Sequence, residues 1–383
     1  MSPRGSRLLA LDSRLLSRPT RAVVDLGAIA RNYRRLKRRV GERVTVIPVV
    51  KADAYGHGAA SVARRLSAEG ASVFAVAIFE EAVPLRRAGI AGEILLLNFS
   101  DPEQVSLLQA YGLTPALYDL EHAARFARAA AALAAPLRVH VKLDTGMGRL
   151  GVRPEEAGAF ARTLEGSRLV LAGAFAQLSS AEQPEAPATA AQTRGLAAAV
   201  GALRGAGLDP GIVHLANSAG VLAHPGSHFD AVRPGIALYG VPPSPVLDDA
   251  ELEPALTLET RVMSVRRFPP GAPLGYGGSF VTRRASTIAV LPIGYDDGLR
   301  RSFSGRVSVL IEGKEAPIVA AVSMDLTLVD ATDCGAARGD RVVCLGSEGG
   351  RRVTAWDLAH AAGTVPYEIL CGISSRVPRE YRD

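Results

Sequence analysis

VTVIPVV (44–50) is followed by HGAASVARRLSAEG (57–70), FAVAI (74–78) by FEEAVPLRRAG (79–89), and EILLLN (93–98) by DPEQVSLLQAYG (101–112). Each pair joins a short, continuously apolar, β-branched run to a segment with helical spacing. The alternation continues through TPALYD, LRVHVKLD, LVLAGAFAQL, IVHLANS and VRPGIALYG, ending near residue 240. Strands that are apolar on both faces belong to a parallel sheet covered by helices. Eight such units predict a closed (β/α)8 barrel.

Working outward, AVVDLGAIARNYRRLKRRVG (22–41) predicts one strand and one helix before the repeat. Its basic run reads as a solvated helix face rather than a nucleic-acid patch. Beyond the Pro-rich stretch 242–254 the texture changes to strands and Gly-rich turns: LTLETRVMSV, STIAVLPIGY, RVSVLIEG, APIVAAVSM and RVVCLG. Helical patterning returns only at TAWDLAHAAG. The expected division is a flexible N-terminal extension over 1–20, an α/β barrel over 21–250 and an all-β domain over 251–383.

Composition narrows the function classes. With 48% hydrophobic and 21% charged residues the chain is expected to be globular, and no apolar run reaches the ~18 residues of a membrane span. A net charge of +6 on 383 residues argues against nucleic acid as the partner. Cys334, Cys344 and Cys371 lack metal-ligand spacing, and the seven histidines form no HExxH-type cluster, so no metal is expected and the thiols suit a cytoplasmic protein.

Lysine occurs only at 37, 51, 142 and 314. Lys37 and Lys314 fall on a charged helix and a hairpin turn. Lys51 ends the first barrel strand, at the C-terminal face where such barrels build their sites. Apolar neighbours there would lower its pKa and make the amine a nucleophile toward aldehydes. In VHVKLD, period-2 alternation sends Lys142 inward on the face of His140 and Asp144, where a charged amine needs a partner or a modification. NSAG (217–220) and RPGIALYG (233–240) close the last two strands with features suited to a phosphate. A phosphate site across from a buried lysine points to pyridoxal 5'-phosphate held as a Schiff base.

From about Arg21 to Tyr381 the chain resembles the fold-type III alanine racemases. The resemblance rests on VVKADAYGHG around Lys51, KLDTGMGRLG (142–151), HLANSAG (214–220), VRPGIALYG (232–240), GYGGSF (275–280), PIGYDDG (292–298), SMD (323–325) and GTVPYEILCGISSRVPR (363–379). It implies a barrel plus a C-terminal β domain, a head-to-tail homodimer with shared active sites, and interconversion of L- and D-alanine for peptidoglycan. Lys51 becomes the Schiff-base lysine and one acid/base group, with Tyr276 of the partner subunit as the other. Two groups on opposite faces are what racemisation requires. A phenol with a pKa near ~10 is a poor base at neutral pH, so this role calls for nearby positive charge.

The resemblance further makes Arg233 the donor to the pyridine nitrogen, and Tyr55, Ser218, Gly235 and Ile236 phosphate contacts, with Asn217 and Gln177 beside the cofactor. Arg149 and Met324 would meet the substrate carboxylate, Tyr295 would line the entry corridor, and Lys142 matches a position carbamylated in many members. Two positions depart from the pattern. Gln177 stands where most members have histidine, and Ser375 where many have tyrosine. Racemisation of another amino acid such as serine, or a pyridoxal phosphate carrier without turnover, are the alternatives.

Overall fold

The computed structural model describes residues 18–247 and 251–383. Of the expected N-terminal extension, residues 1–17 lie outside the described residues. The chain forms two compact units, one of residues up to Val23 with Leu256–Glu380, the other Val24–Ala255 with Tyr381–Asp383.

The first strand, β1 (Arg21–Asp25), runs into the helix Leu26–Val40, whose N-cap Asp25 accepts a hydrogen bond from Ala28 N. This strand joins the antiparallel sheet of the β unit rather than the barrel. The barrel strands follow as β2 (Thr45–Val46), β3 (Val73–Val76), β4 (Glu93–Leu96), β5 (Leu113–Leu117), β6 (Leu137–Lys142), β7 (Leu169–Phe175), β8 (Ile212–His214) and β9 (Ala231–Val232). They form one parallel sheet in the order β2-β9-β8-β7-β6-β5-β4-β3. A parallel bridge between Val49 and Ala75 brings the chain after β2 beside β3, so the ring is nearly closed. The (β/α)8 expectation is met.

The strands are short because the barrel core needs only a few layers of inward side chains. β3 to β5 are almost fully buried, as their uninterrupted apolar runs require. Helices cover them, from Ala59–Ala68 to the 19-residue Pro187–Gly205. Asn32, 1% exposed, fastens the first helix to the chain leaving the barrel. Its Nδ2 donates to Leu238 O (3.0 Å) and Glu253 O (2.8 Å), and its Oδ1 accepts from Glu253 N (2.9 Å).

In the β unit, Ser264–Phe268, Ser286–Leu291, Thr327–Asp330, Lys314–Val319, Ser308–Ile311, Arg341–Glu348 and Leu256–Arg261 are successive neighbours in one sheet. Their pairings are antiparallel. The helix Ala355–Ala362 begins with a capping box, Thr354 Oγ1 accepting from Asp357 N and Asp357 Oδ2 accepting from Thr354 N. The separate all-β architecture is thus as expected.

Replacing Asn32 by alanine takes this partner from three backbone groups, one buried at Leu238 and two part-buried at Glu253, at about 1–3 kcal/mol for a fully buried group and less for the others. We expect Asn32→Ala to lower the denaturation midpoint by the equivalent of about 2–4 kcal/mol. A chemical-denaturation curve followed by far-ultraviolet circular dichroism checks this, and an unchanged midpoint would refute it.

Candidate active site

The first barrel strand, expected to run to Lys51, ends at Val46; past the Val49–Ala75 bridge, from Lys51 onward, the chain does something L-residues avoid. Ala52, Asp53, Ala54 and Tyr55 all have positive φ, between 50° and 55°, and make one turn of left-handed helix. Each non-glycine residue in that region costs roughly 1–2 kcal/mol. The surroundings hold the turn: Glu81 Oε1 accepts from Ala52 N (2.7 Å) and Asp53 Oδ1 from Ala59 N (2.7 Å). His57 Nδ1 bonds the carbonyls of Ala54 and Tyr55, both at 3.0 Å, and the His57 ring stacks on Tyr239. The strained turn sets Lys51 at its start, half-buried at the barrel mouth, and Tyr55, buried, at its end.

Tyr55 lies over Gly235, where a Cβ would overlap the phenol. Beneath it the Ser218 hydroxyl accepts from Gly235 N (2.9 Å) and Ala237 N (3.2 Å). Asn217 caps the helix Ser218–Ala223 through Gly220 N (2.9 Å), and Ile236 starts the following 3-10 turn. Tyr55, Ser218 and Gly235 are therefore brought together, with Asn217 and Ile236 adjoining them in the chain.

Arg233 follows β9 and is only 4% exposed. Its Nη1 donates to His214 Nδ1 (2.6 Å), and its Nη2 to Ala176 O (2.7 Å), Leu215 O (3.1 Å) and, more weakly, Gln177 Oε1 (3.4 Å). The guanidinium lies 5.1 Å from the centroid of Phe175. All these partners are neutral, and burial pushes its pKa down to about 9. His214 is a site residue that the sequence reading did not single out. The available signal was a histidine on an otherwise apolar strand, immediately before LANS.

Lys142 ends β6 at 4% exposure, inward as expected. Burial lowers its pKa to about 8, helped by the positive charges of Arg149, Arg233 and Lys51 and opposed by Asp144. Asp144 does not share the inward face fully. It is half-buried, and its Oδ1 gathers the amides of Gly146, Met147 and Gly148 at 2.9–3.1 Å, closing the loop that carries the exposed Arg149.

Tyr276, Tyr295 and Met324 belong to the β unit, 72%, 40% and 50% exposed. Their loops are tied to one another. Ser323 O accepts from Tyr295 N (2.9 Å), Met324 O from Asp296 N (3.2 Å), and Ser279 Oγ from Ala321 N (3.3 Å). Arg376, next to Ser375, spans Asp296 (2.6 Å), Asp297 (2.8 Å) and Asp325 (2.5 Å), while Arg18 clamps the fully buried Asp297 from the other side (2.7 Å).

Comparison with known proteins places this arrangement. The alanine racemase N-terminal domain model matches residues 24–243 and the C-terminal domain model residues 255–381. The chain belongs to the alanine racemase family. Relatives include the alanine racemases of Symbiobacterium thermophilum, 44% identical over 95% of this chain and 97% of the relative, and Halothermothrix orenii, 40% identical over 96% and 98%. Among solved structures, Bacillus anthracis alanine racemase with bound L-Ala-P superposes at a TM-score of 0.91, with 34% identity and 96% of both chains covered. Alanine racemase from the D-cycloserine producer Streptomyces lavendulae gives 0.91 at 34% identity, covering 96% and 98%. Family membership thus extends over both units.

A buried lysine titrating near 8 instead of 10.5 has a defined effect on stability. Between those values the unfolded chain binds the proton that the folded chain refuses, so stability falls as pH drops from 10.5 to 8 and then levels. In carbon-dioxide-free buffer, Lys142→Met should lack this segment. Unfolding midpoints of both proteins between pH 7 and 10.5 check it, and parallel curves would refute the assignment.

Proposed function

We propose that this protein is a pyridoxal phosphate-dependent alanine racemase working as a homodimer in the cytoplasm and supplying D-alanine for peptidoglycan. The observation that carries the cofactor reading is the buried Arg233, whose acceptors are all neutral. Such a guanidinium suits a neutral ring nitrogen, which accepts a hydrogen bond without taking a proton. Beside it, the Tyr55 phenol and the Ser218 hydroxyl, whose oxygen accepts from Gly235 N and Ala237 N, bring O–H groups to one place over the side-chain-free Gly235, which suits a phosphate. A half-buried amine at Lys51 completes the fit.

When bound, pyridoxal phosphate supplies an electron sink for the pair left at Cα as its proton departs. This chain's residues do the rest. Lys51 would hold the cofactor aldehyde and, once the substrate amine has taken its place and freed its Nζ, would exchange a proton with one face of Cα. Tyr276 of the partner subunit serves the opposite face, which inversion requires. Arg149 and the Met324 backbone N–H receive the substrate carboxylate, and Tyr295 lines the approach. Lys142, carbamylated, would become an anion and hold Arg149 instead of repelling it. In this reading the barrel module spans 21–250 and the β module 251–383. The high exposure of Tyr276 and Met324 supports their serving a partner chain. Among the described residues no helix is long and apolar enough to cross a membrane.

Purified protein should convert L-alanine to the racemic mixture, with serine slower. Borohydride reduction followed by peptide mapping should place a pyridoxyl group on Lys51. Label on Lys142 instead, or faster turnover of serine, would overturn the corresponding part of the reading.

Sharing of the site makes a separate prediction. Lys51→Ala and Tyr276→Phe homodimers should each be nearly inactive. Mixing them under conditions of subunit exchange should restore roughly a quarter of wild-type activity, since half the dimers are mixed and each has one intact site. Demonstrated exchange without recovery would mean that each chain builds its own site.

A further inference from the structure

The barrel interior contains a line of polar side chains that leads to Arg233 and whose other members are unused by the chemistry above. Glu93 opens β4, His140 lies in β6, His214 ends β8, and Arg233 follows β9. His140 and His214 are 1% and 0% exposed. Their rings meet through His140 Nδ1 and His214 Nε2 at 3.0 Å, and His214 Nδ1 faces Arg233 Nη1 at 2.6 Å. At the far end His140 Nε2 faces Glu93 Oε1 at 3.7 Å. Among the described residues neither of those two atoms has any hydrogen-bond partner, so the unsatisfied ends of the chain point at each other. The gap is one that a small side-chain rotation or a bridging water would close.

Space for the line has been made deliberately. A Cβ at Gly173, in β7, would overlap the His140 ring, so glycine at this position lets the imidazole cross the barrel. Phe175 stacks parallel to His214, 4.9 Å between centroids, and fixes its plane. Glu93 Oε2 reaches the outer side, where Arg138 lies 3.3 Å away.

The proton positions follow from the ends. Arginine has only donors, so His214 Nδ1 must accept and His214 Nε2 must carry the hydrogen. His140 Nδ1 must then accept, which leaves His140 Nε2–H directed at the Glu93 carboxylate. Every link runs in one direction, from Arg233 to Glu93. A reversal at any ring would set two N–H groups against each other.

We propose that Glu93, His140 and His214 form a one-way hydrogen-bond relay through the barrel core that positions Arg233, with Glu93 as its remote counter-charge. Two rings separate the carboxylate from the guanidinium, which is thereby oriented with no anion inside the site. Burial, the first cause in both cases, keeps both imidazoles below their ordinary pKa and thus neutral, as the relay requires. The charged groups facing them are Glu93, Arg138 and Arg233. The carboxyl of Glu93, facing His140, is held down at about 2 and stays ionised. The three are positioning residues for the proposed racemase reaction, and the relay rests on that reading only for what Arg233 faces.

The test reads the tautomers directly, by 15N-histidine NMR of the purified, full-length protein between about pH 6 and 9. Both His140 and His214 should be neutral Nε2–H tautomers throughout. An imidazolium, or an Nδ1–H form of His214, would overturn the proposal whether or not the protein racemises alanine. In Glu93→Leu the acceptor is gone, so His140, still held as Nε2–H by the His214 end, should show its Nε2–H signal shifted to that of an unbonded N–H. Glu93→Gln, whose carbonyl can still accept, should keep the wild-type pattern, and Arg138→Ala should leave it unchanged. Unaltered His140 signals in folded Glu93→Leu would exclude Glu93 from the relay. If Glu93→Leu does not fold, Gly173→Ala, which displaces His140, must break the His140–His214 coupling. Racemisation by Glu93→Leu should fall about tenfold or more, with Glu93→Gln recovering most of it. Absence of racemisation in the wild type would defeat the activity reading and leave the tautomer result standing.

Discussion

Desolvating a guanidinium costs several kcal/mol unless its donors are satisfied, and Arg233 meets that condition with carbonyls, an amide and an imidazole only. A carboxylate would have been the simpler partner. Its absence leaves positive potential at the mouth of the barrel, where Lys51, Lys142 and Arg149 already contribute. The neighbouring features follow from accommodating that charge. Lys142 is pushed toward neutrality, Phe175 offers its ring to both Lys142 and Arg233, and the carboxylate of Glu93 stays two imidazoles away.

The second constraint is backbone strain. Four consecutive non-glycine residues in the left-handed region amount to several kcal/mol, held by Glu81, Asp53 and His57. A right-handed turn from Lys51 would send Tyr55 elsewhere. The strained form lays the Tyr55 phenol on Gly235 while keeping Lys51 at the start of the turn. The turn and the Gly235 backbone thus depend on each other. The glycine admits the phenol, and the phenol covers the cradle that the glycine exposes.

How much of this was legible in the sequence differs by physical origin. The barrel was legible because continuous apolar runs such as EILLLN report burial on both faces, a property of the strand itself. Lys51 and Lys142 were legible because lysine is rare in this chain and each closes an apolar run, although only Lys142 proves to end a strand. The membership of β1 in the β sheet was not, since AVVDL suits either sheet and only long-range pairing decides. The left-handed turn was hidden because KADAY has ordinary helix-compatible residues, and the strained form is held by Glu81 and His57 from outside the turn. His214, His140 and Glu93 escaped notice because their relation depends on which residues of β4, β6 and β8 face one another, and register is not written in any one strand.

Gln177 acquires meaning against this electrostatic background. Its Oε1 adds one more weak, neutral acceptor to Arg233, and Gln192 Nε2 donates to its backbone carbonyl at 2.8 Å and steadies the segment. A histidine in its place could take up a proton near neutrality and would add a further positive charge to a mouth that already holds four cationic side chains. The amide removes that titration while keeping a hydrogen bond to the guanidinium. Positive potential at the barrel mouth then depends on Arg233, Lys51, Arg149 and the state of Lys142, whose pKa burial lowers to about 8. Neutralising or carbamylating Lys142 therefore alters the field at the site more here than it would beside a titrating histidine.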